Sequence, residues 1–204
     1  MNNELSKYPR PSVTIDCVVS GYDGEQLSVL LLNRKEEPFA NQWTLPGGFL
    51  NLDETFEVAV ERILSHKAGL AGLYLEQLYT FGGLDRDPRG RVLSVSYYAL
   101  VNPRQFELVV GQMANDLRWC AIQDLPILGF DHNRIIEIAR RRLAAKVTYQ
   151  PVGFELLNEQ FTMTELQDLY ESILGESLDR RKKKKKITAS GILKSTGERR
   201  TGLK

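Results

Sequence analysis

Four arginines, three aromatic residues and two aspartates form a set that could hold a phosphorylated nucleotide. The guanidinium groups of Arg34, Arg86, Arg89 and Arg91 are forked donors whose geometry matches phosphate oxygens. Phe39, Trp43 and Phe81 offer ring faces on which a base could stack, and Asp85 and Asp87 could accept hydrogen bonds from ribose hydroxyls. Each also has a plainer account. Residues 85–90 could be only a charged hairpin turn shaped by Pro88 and Gly90. Phe39 and Trp43 suit a core as well as a ligand platform. For the charged turn the two accounts stand about level, because loops carry function more often than other segments do.

A second set lies near the C-terminus. Residues 177–204 hold eleven Lys or Arg and two acidic residues, a net +9, so with a whole-chain charge of +1 residues 1–176 carry −8. A body of that sign repels a polyanion while the tail attracts one, which points to two domains with different partners. Arg180, Arg181, Lys182, Lys184 and Lys185 fall in one basic run, where positions three or four apart would share a helix face. Arg199 and Arg200 follow a Gly turn, and Thr164 opens the segment before the run. These residues are the candidates for contact with double-stranded DNA, binding by counterion release from its phosphates. Alone, five consecutive lysines would read as a solvated tail. A capped helix before them and a turn after them favour the DNA account.

The elements that must position both sets follow from periodicity. Residues 13–20 and 27–33 read as β-branched, apolar strands, and 74–81, 92–101 and 117–122 as further strands. A helix is expected to open at Asp53 and to stop at Gly69, and another covers 133–145. The stretch Tyr149-Gln150-Pro151-Val152 breaks the pattern. A threonine within 161–166 can cap a helix reaching about Leu174, with Leu166, Leu169, Tyr170 and Ile173 as its apolar stripe. Asp179 can cap a second helix through the basic run to about Gly191, and 192–200 look like the start of a β-wing. Helix, turn, basic helix and wing together make a winged helix-turn-helix. The division expected is 1–147 and 148–204, the second possessing a truncated wing if the chain stops at Lys204. Cys17 and Cys120 sit in apolar runs and read as buried free thiols rather than a disulfide. The polar, Pro-containing start is unlike a secretory leader, and no apolar run approaches the roughly 20 residues of a membrane helix, so a cytoplasmic protein without a membrane partner is expected.

Residues 48–70 resemble a Nudix box, whose pattern is Gly, five residues, Glu, seven residues, then Arg-Glu-apolar-any-Glu-Glu-any-Gly-apolar. Gly48, Glu54, Arg62, Leu64, Gly69 and Leu70 fall on it at the right spacing. The resemblance implies that Glu54 and Arg62 form a structural pair between loop and helix, with Gly48 and Gly69 as scaffold. In Nudix enzymes glutamates of this helix hold magnesium, which bridges diphosphate oxygens and helps generate the attacking hydroxide. Here Ile63, His66 and Lys67 stand at those glutamate positions. Isoleucine offers no ligand, neutral histidine suits softer metals, and lysine puts positive charge where a cation needs negative. No catalytic residue, metal site or cofactor is therefore expected. Glu57 and Glu61 leave the alternative of a hydrolase of ADP-ribose or a similar nucleoside diphosphate derivative.

Residues 76–100, 151–157 and 164–170 are similar to one subgroup, the Nudix-related transcriptional regulators of the NrtR and AraR type. That resemblance implies an α/β/α sandwich with a mixed sheet, followed by a small winged helix-turn-helix. It implies a homodimeric repressor in NAD or sugar metabolism, bound to an operator and sensing ADP-ribose, a related nucleotide or a pentose. Lys182 and Lys183 depart from the subgroup's Asn-Phe in the recognition helix, where the phenylalanine would pack against its neighbours.

Overall fold

The structure is a computed structural model that describes residues 7–150, 152–177 and 193–197. Its spine is β1 (Ser12–Tyr22), buried at nearly every position and paired in parallel with β6 (Val92–Val101) from Ser12↔Val92 to Gly21↔Val101. Burial on both faces explains why β1 reads as a near-continuous apolar run rather than an alternating one. The strand β5 (Leu75–Phe81) adds antiparallel to the outer edge of β6.

The other edge of β1 forks. At its end, Ser20–Tyr22 pair with the start of β2 (Leu27–Arg34) in a tight hairpin. At its beginning, Thr14, Asp16 and their neighbour Ile15 pair instead with β4 (Gly47–Phe49). Beyond the hairpin β2 takes other partners, β3 (Trp43–Thr44) on Leu32 and Asn33 and β7 (Ala114–Ala121) along its opposite edge. The two central strands thus part from each other, and a cavity opens between them.

One helix covers each face. On one side α1 (Phe56–Ala68) buries Ala59, Val60, Ile63 and Leu64 against Ile15, Cys17, Val19, Leu30 and Leu32. On the other, α2 (His132–Tyr149) buries Ile135, Ile136 and Ala139 against Val18, Val29, Leu31 and Phe81. The alternation of β1 and β2 residues between these two sets is the period-2 geometry of a strand. Cys17 and Cys120 are both buried free cysteines.

Three expected boundaries move. The first helix opens at Thr55, not Asp53: Thr55 is extended (ψ 169°) and its hydroxyl accepts from the Val58 N–H at 3.4 Å. β7 begins at Ala114 rather than 117, because backbone pairing with β2 continues past the polar residues Asn115 and Asp116. The helix α2 runs to Tyr149, four residues further than expected, since Val147 finds apolar neighbours there.

Those neighbours belong to the C-terminal part. After a left-handed Gly153 (φ 93°) and a single turn of 3-10 helix comes α3 (Met163–Leu174). A capping box starts it: Thr162 Oγ1 accepts from the Glu165 N–H and Glu165 Oε2 accepts from the Thr162 N–H, at 3.1 and 2.6 Å. Thr162 is thus the cap, and Thr164 lies exposed in the first turn. Leu166, Leu169, Tyr170 and Ile173 are 0–1% exposed and pack on Tyr22, Leu27, Leu143 and Val147. Each such side chain contributes roughly 1.5–3 kcal/mol on burial. The Leu27 N–H also donates to Ser172 Oγ at 3.0 Å, stitching α3 to the hairpin. The expected basic helix, with Arg180, Arg181, Lys182, Lys184 and Lys185, lies outside the described residues, as do Arg199 and Arg200 of the wing.

Candidate functional site

Asp16 is the buried polar centre of the fork. It sits on the β1 face that turns toward α2, among apolar residues, and only dense hydrogen bonding makes a carboxylate tolerable there. Ser94 Oγ of β6 donates to its Oδ2 at 2.6 Å, and Arg86 Nη2 to the same oxygen at 3.1 Å. His132 Nε2 lies 3.5 Å from its Oδ1. The Leu45 N–H donates to His132 Nδ1 at 2.9 Å, so the ring proton belongs on Nε2, facing Asp16. Burial alone would raise the pKa of Asp16, but His132, Ser94 and Arg86 together outweigh it and hold the value at about 2. Gly47 is obligatory beside it: a Cβ there would lie 2.1 Å from Asp16 Oδ1.

Arg86 ties this centre to the start of α2. Its Nη2 and Nε also donate to the two oxygens of Asp131, at 2.8 and 3.3 Å. Asp131 precedes α2 but makes no capping hydrogen bond, because its carboxylate is committed to Arg86. Two of the three hydrogen-bearing nitrogens of this guanidinium are therefore occupied by protein, leaving Nη1.

Above this floor the fork encloses a cavity of about 380 Å³. Arg34, Lys67, Arg86, Asp87, Arg89, Phe49 and Phe130 are among its walls. Arg89 is held by Asp87 through Nε and Nη2 at 2.9 and 2.7 Å, and its guanidinium lies over the rings of Phe49 and Phe130 at 4.9 and 5.7 Å. Arg34 donates from Nε to the Pro38 carbonyl at 2.8 Å and faces Phe130 at 5.3 Å. Burial lowers the pKa of Arg34, and the charge of Arg89 lowers it further. Lys67 responds in the same way, first to burial and then to Arg34. Arg34, Lys67 and Arg89 thus bring cations beside the rings of Phe49 and Phe130 in a cavity that Glu36 and Glu37 also line, an arrangement able to hold phosphate and a flat ring together.

Of the residues expected here from sequence, Arg34, Arg86, Asp87 and Arg89 come together around the cavity. Phe39 stands one ring away, edge-on to Phe130 at 4.7 Å. The structure does not bring the other four to it. Trp43 stacks under Arg118 at 4.1 Å, and Phe81 is buried in the α2-side core. Asp85 is exposed in the turn, and Arg91 donates to the Gly82 and Gly83 carbonyls at 2.8 and 3.0 Å, closing the β5–β6 connection. Sequence reasoning missed Asp16, Phe130 and His132. Only Asp16 carried a signal, as a carboxylate inside an apolar strand.

The box itself is now placed. Arg62 donates to both Glu54 oxygens, at 2.8 and 2.6 Å, and to the Phe49 carbonyl at 3.0 Å, while the Asn51 N–H donates to Glu54. Arg62 holds the Glu54 carboxyl down at about 2. Gly48 lies against Ile63, whose side chain is 1% exposed and belongs to the core. His66 is exposed and Lys67 faces the cavity. Among the described residues no three His, Cys, Asp or Glu side chains gather as a metal site. A divalent cation of the Nudix enzymes does not fit this set, because the three positions offer an apolar group, an imidazole turned to solvent and a cation.

Comparison with known proteins extends the picture to both parts of the chain. The family model described as the NUDIX domain matches residues 10–150, and that described as the NrtR DNA-binding winged helix domain matches residues 153–204. The "ADPR responsive transcriptional repressor NtrR" of Acinetobacter baylyi is 35% identical over 96% of this chain and 79% of its own length. An ADP-ribose pyrophosphatase of Methanocaldococcus jannaschii is 34% identical over 64% of this chain and 73% of its own. The solved structure of Shewanella oneidensis NrtR complexed with a 27mer DNA superposes with a TM-score of 0.80 at 35% identity, over 93% of this chain and 88% of that one.

Proposed function

Because the chain belongs to the Nudix family and joins that domain to an NrtR-type winged helix, we propose that it is a transcriptional repressor whose operator binding is set by ADP-ribose or a closely related nucleotide. One observation supports this reading: α2 lines the cavity at its start, through His132, and at its end packs on α3, the first α-helix of the segment matching the winged helix model. The Nudix domain is read as a sensor and not a catalyst, since the box positions that would hold magnesium are Ile63, His66 and Lys67. The expected homodimer on an operator and a cytoplasmic location belong to the same proposal, as do the DNA contacts by the basic run at 180–185.

The test is fluorescence anisotropy of the full chain with duplexes selected from its own genome, at several salt concentrations, with and without ADP-ribose. Salt-dependent, sequence-selective binding that ADP-ribose alters is expected. Binding indifferent to sequence, or to every nucleotide offered, sinks the proposal. The likeness to a pyrophosphatase keeps hydrolysis as the competing reading. Magnesium-dependent turnover of ADP-ribose that Glu57→Gln or Glu61→Gln abolishes would establish it instead.

A further inference from the structure

Lys67 is the one box position at which a residue foreign to Nudix enzymes faces the cavity. It sits in the last turn of α1, partly buried, where burial first and the charge of Arg34 next lower its pKa. Asp16 and Glu36 are the carboxylates that favour its charge, and Arg86, Ser94 and His132 already engage Asp16. Arg89 completes the wall, with Asp87 taking part of its charge. Glu36 and Glu37 also line the cavity, but among the described residues Lys67 forms no ion pair there, so its ammonium can meet a ligand with adjacent phosphates.

We propose that Lys67, with Arg34 and Arg89, forms a metal-free seat for a diphosphate, the ammonium standing where a Nudix enzyme would bring a divalent cation. This rests on the effector reading above and sharpens it in two ways. Binding needs no magnesium, because a cation bridging the phosphates would be driven off by Lys67 at the same spot. A neutral pentose, which carries no charge, is discriminated against in favour of a nucleoside diphosphate derivative.

Calorimetric titration of the full chain with ADP-ribose, in EDTA and in magnesium, tests it. Equal affinity in both buffers is expected. Lys67→Met should weaken binding about ten- to a hundredfold, the loss of a charge-assisted contact. Lys67→Arg should largely preserve it, and Arg34→Gln should weaken it from the β2 side even if the Lys67→Met protein fails to fold. Binding that disappears in EDTA overturns the inference and leaves the effector reading standing. So does full-strength binding by both Lys67→Met and Arg34→Gln, or a loss in Lys67→Arg as severe as in Lys67→Met. If ADP-ribose binds in neither buffer, the effector reading falls, and inorganic pyrophosphate in EDTA decides the seat. Pyrophosphate heat that Lys67→Met removes preserves it; no heat with the wild-type chain removes it too.

Discussion

The two ends of α2 are held by opposite kinds of force. Its beginning hangs on charge, with Asp131 and His132 joined to Asp16 through Arg86 and through a ring nitrogen, and Asp16, Arg86 and His132 buried. Its last turns meet α3 by apolar contact, with Leu143 and Val147 packed among Leu166, Leu169, Tyr170 and Ile173, while Arg142 and Lys146 pair with Glu76 of β5 on another side. Directional bonds have few satisfactory geometries, so the first end can register what enters the cavity. Apolar packing is non-directional and close-fitting, so the second end passes a displacement on without needing to interpret it. Under the proposed function, a sensor joined to an output by one helix benefits from that division.

The division can be broken from either end. Arg86→Met leaves the buried Asp16 without its cation and Asp131 without its partner, and urea unfolding should show a loss of about 3–5 kcal/mol together with impaired nucleotide binding. Leu143→Ala should cost about 2–5 kcal/mol by opening a cavity, yet leave nucleotide affinity nearly intact while α3 amides exchange faster with solvent. Acid separates the ends without mutation. Asp16 has its pKa lowered from 3.8 to about 2, so its contribution is present above the unfolded value and fades as pH falls from about 4 toward 2. That is roughly 2 kcal/mol, and a pH series of unfolding midpoints should show the loss in the wild type and its absence in Asp16→Asn. Smallest is Thr162→Ala, which removes the cap of α3 for about 1 kcal/mol and should leave the cavity untouched. If Leu143→Ala proved to weaken nucleotide binding as strongly as Arg86→Met, the two ends would not be distinct.

Local features were readable in the chain, and long-range ones were not. The runs that became β1, β2 and β6 announced themselves by β-branched residues, and the stop at Gly69 by its glycine. The start of α1 was misplaced because Asp53 and Thr55 are both good caps, and only the backbone decides between them. Arg34, Arg86, Asp87 and Arg89 were conspicuous as charged residues near turns. Lys67 was noticed for what it fails to bind, not for the cavity it lines. His132 and Phe130 gave no sign, since their value comes from contacts such as Leu45 with His132, 87 positions apart. Phe81 and Trp43 misled for the opposite reason: an aromatic side chain serves a core and a ligand equally well, and sequence does not say which.

The parallel partnership of β1 and β6 also sets an order in time. Ser12 meets Val92, so the central strand of the sheet waits for about 80 further residues to be made before its outer edge is covered. During synthesis a long apolar strand therefore stands uncovered, a period in which chaperones matter and aggregation competes. Asp131 and His132 emerge later still, and the C-terminal unit follows them, so the pocket can be complete before the last fifty residues leave the ribosome. Under the proposed function, the order of the chain lets the protein assemble its sensing part before its DNA-binding part.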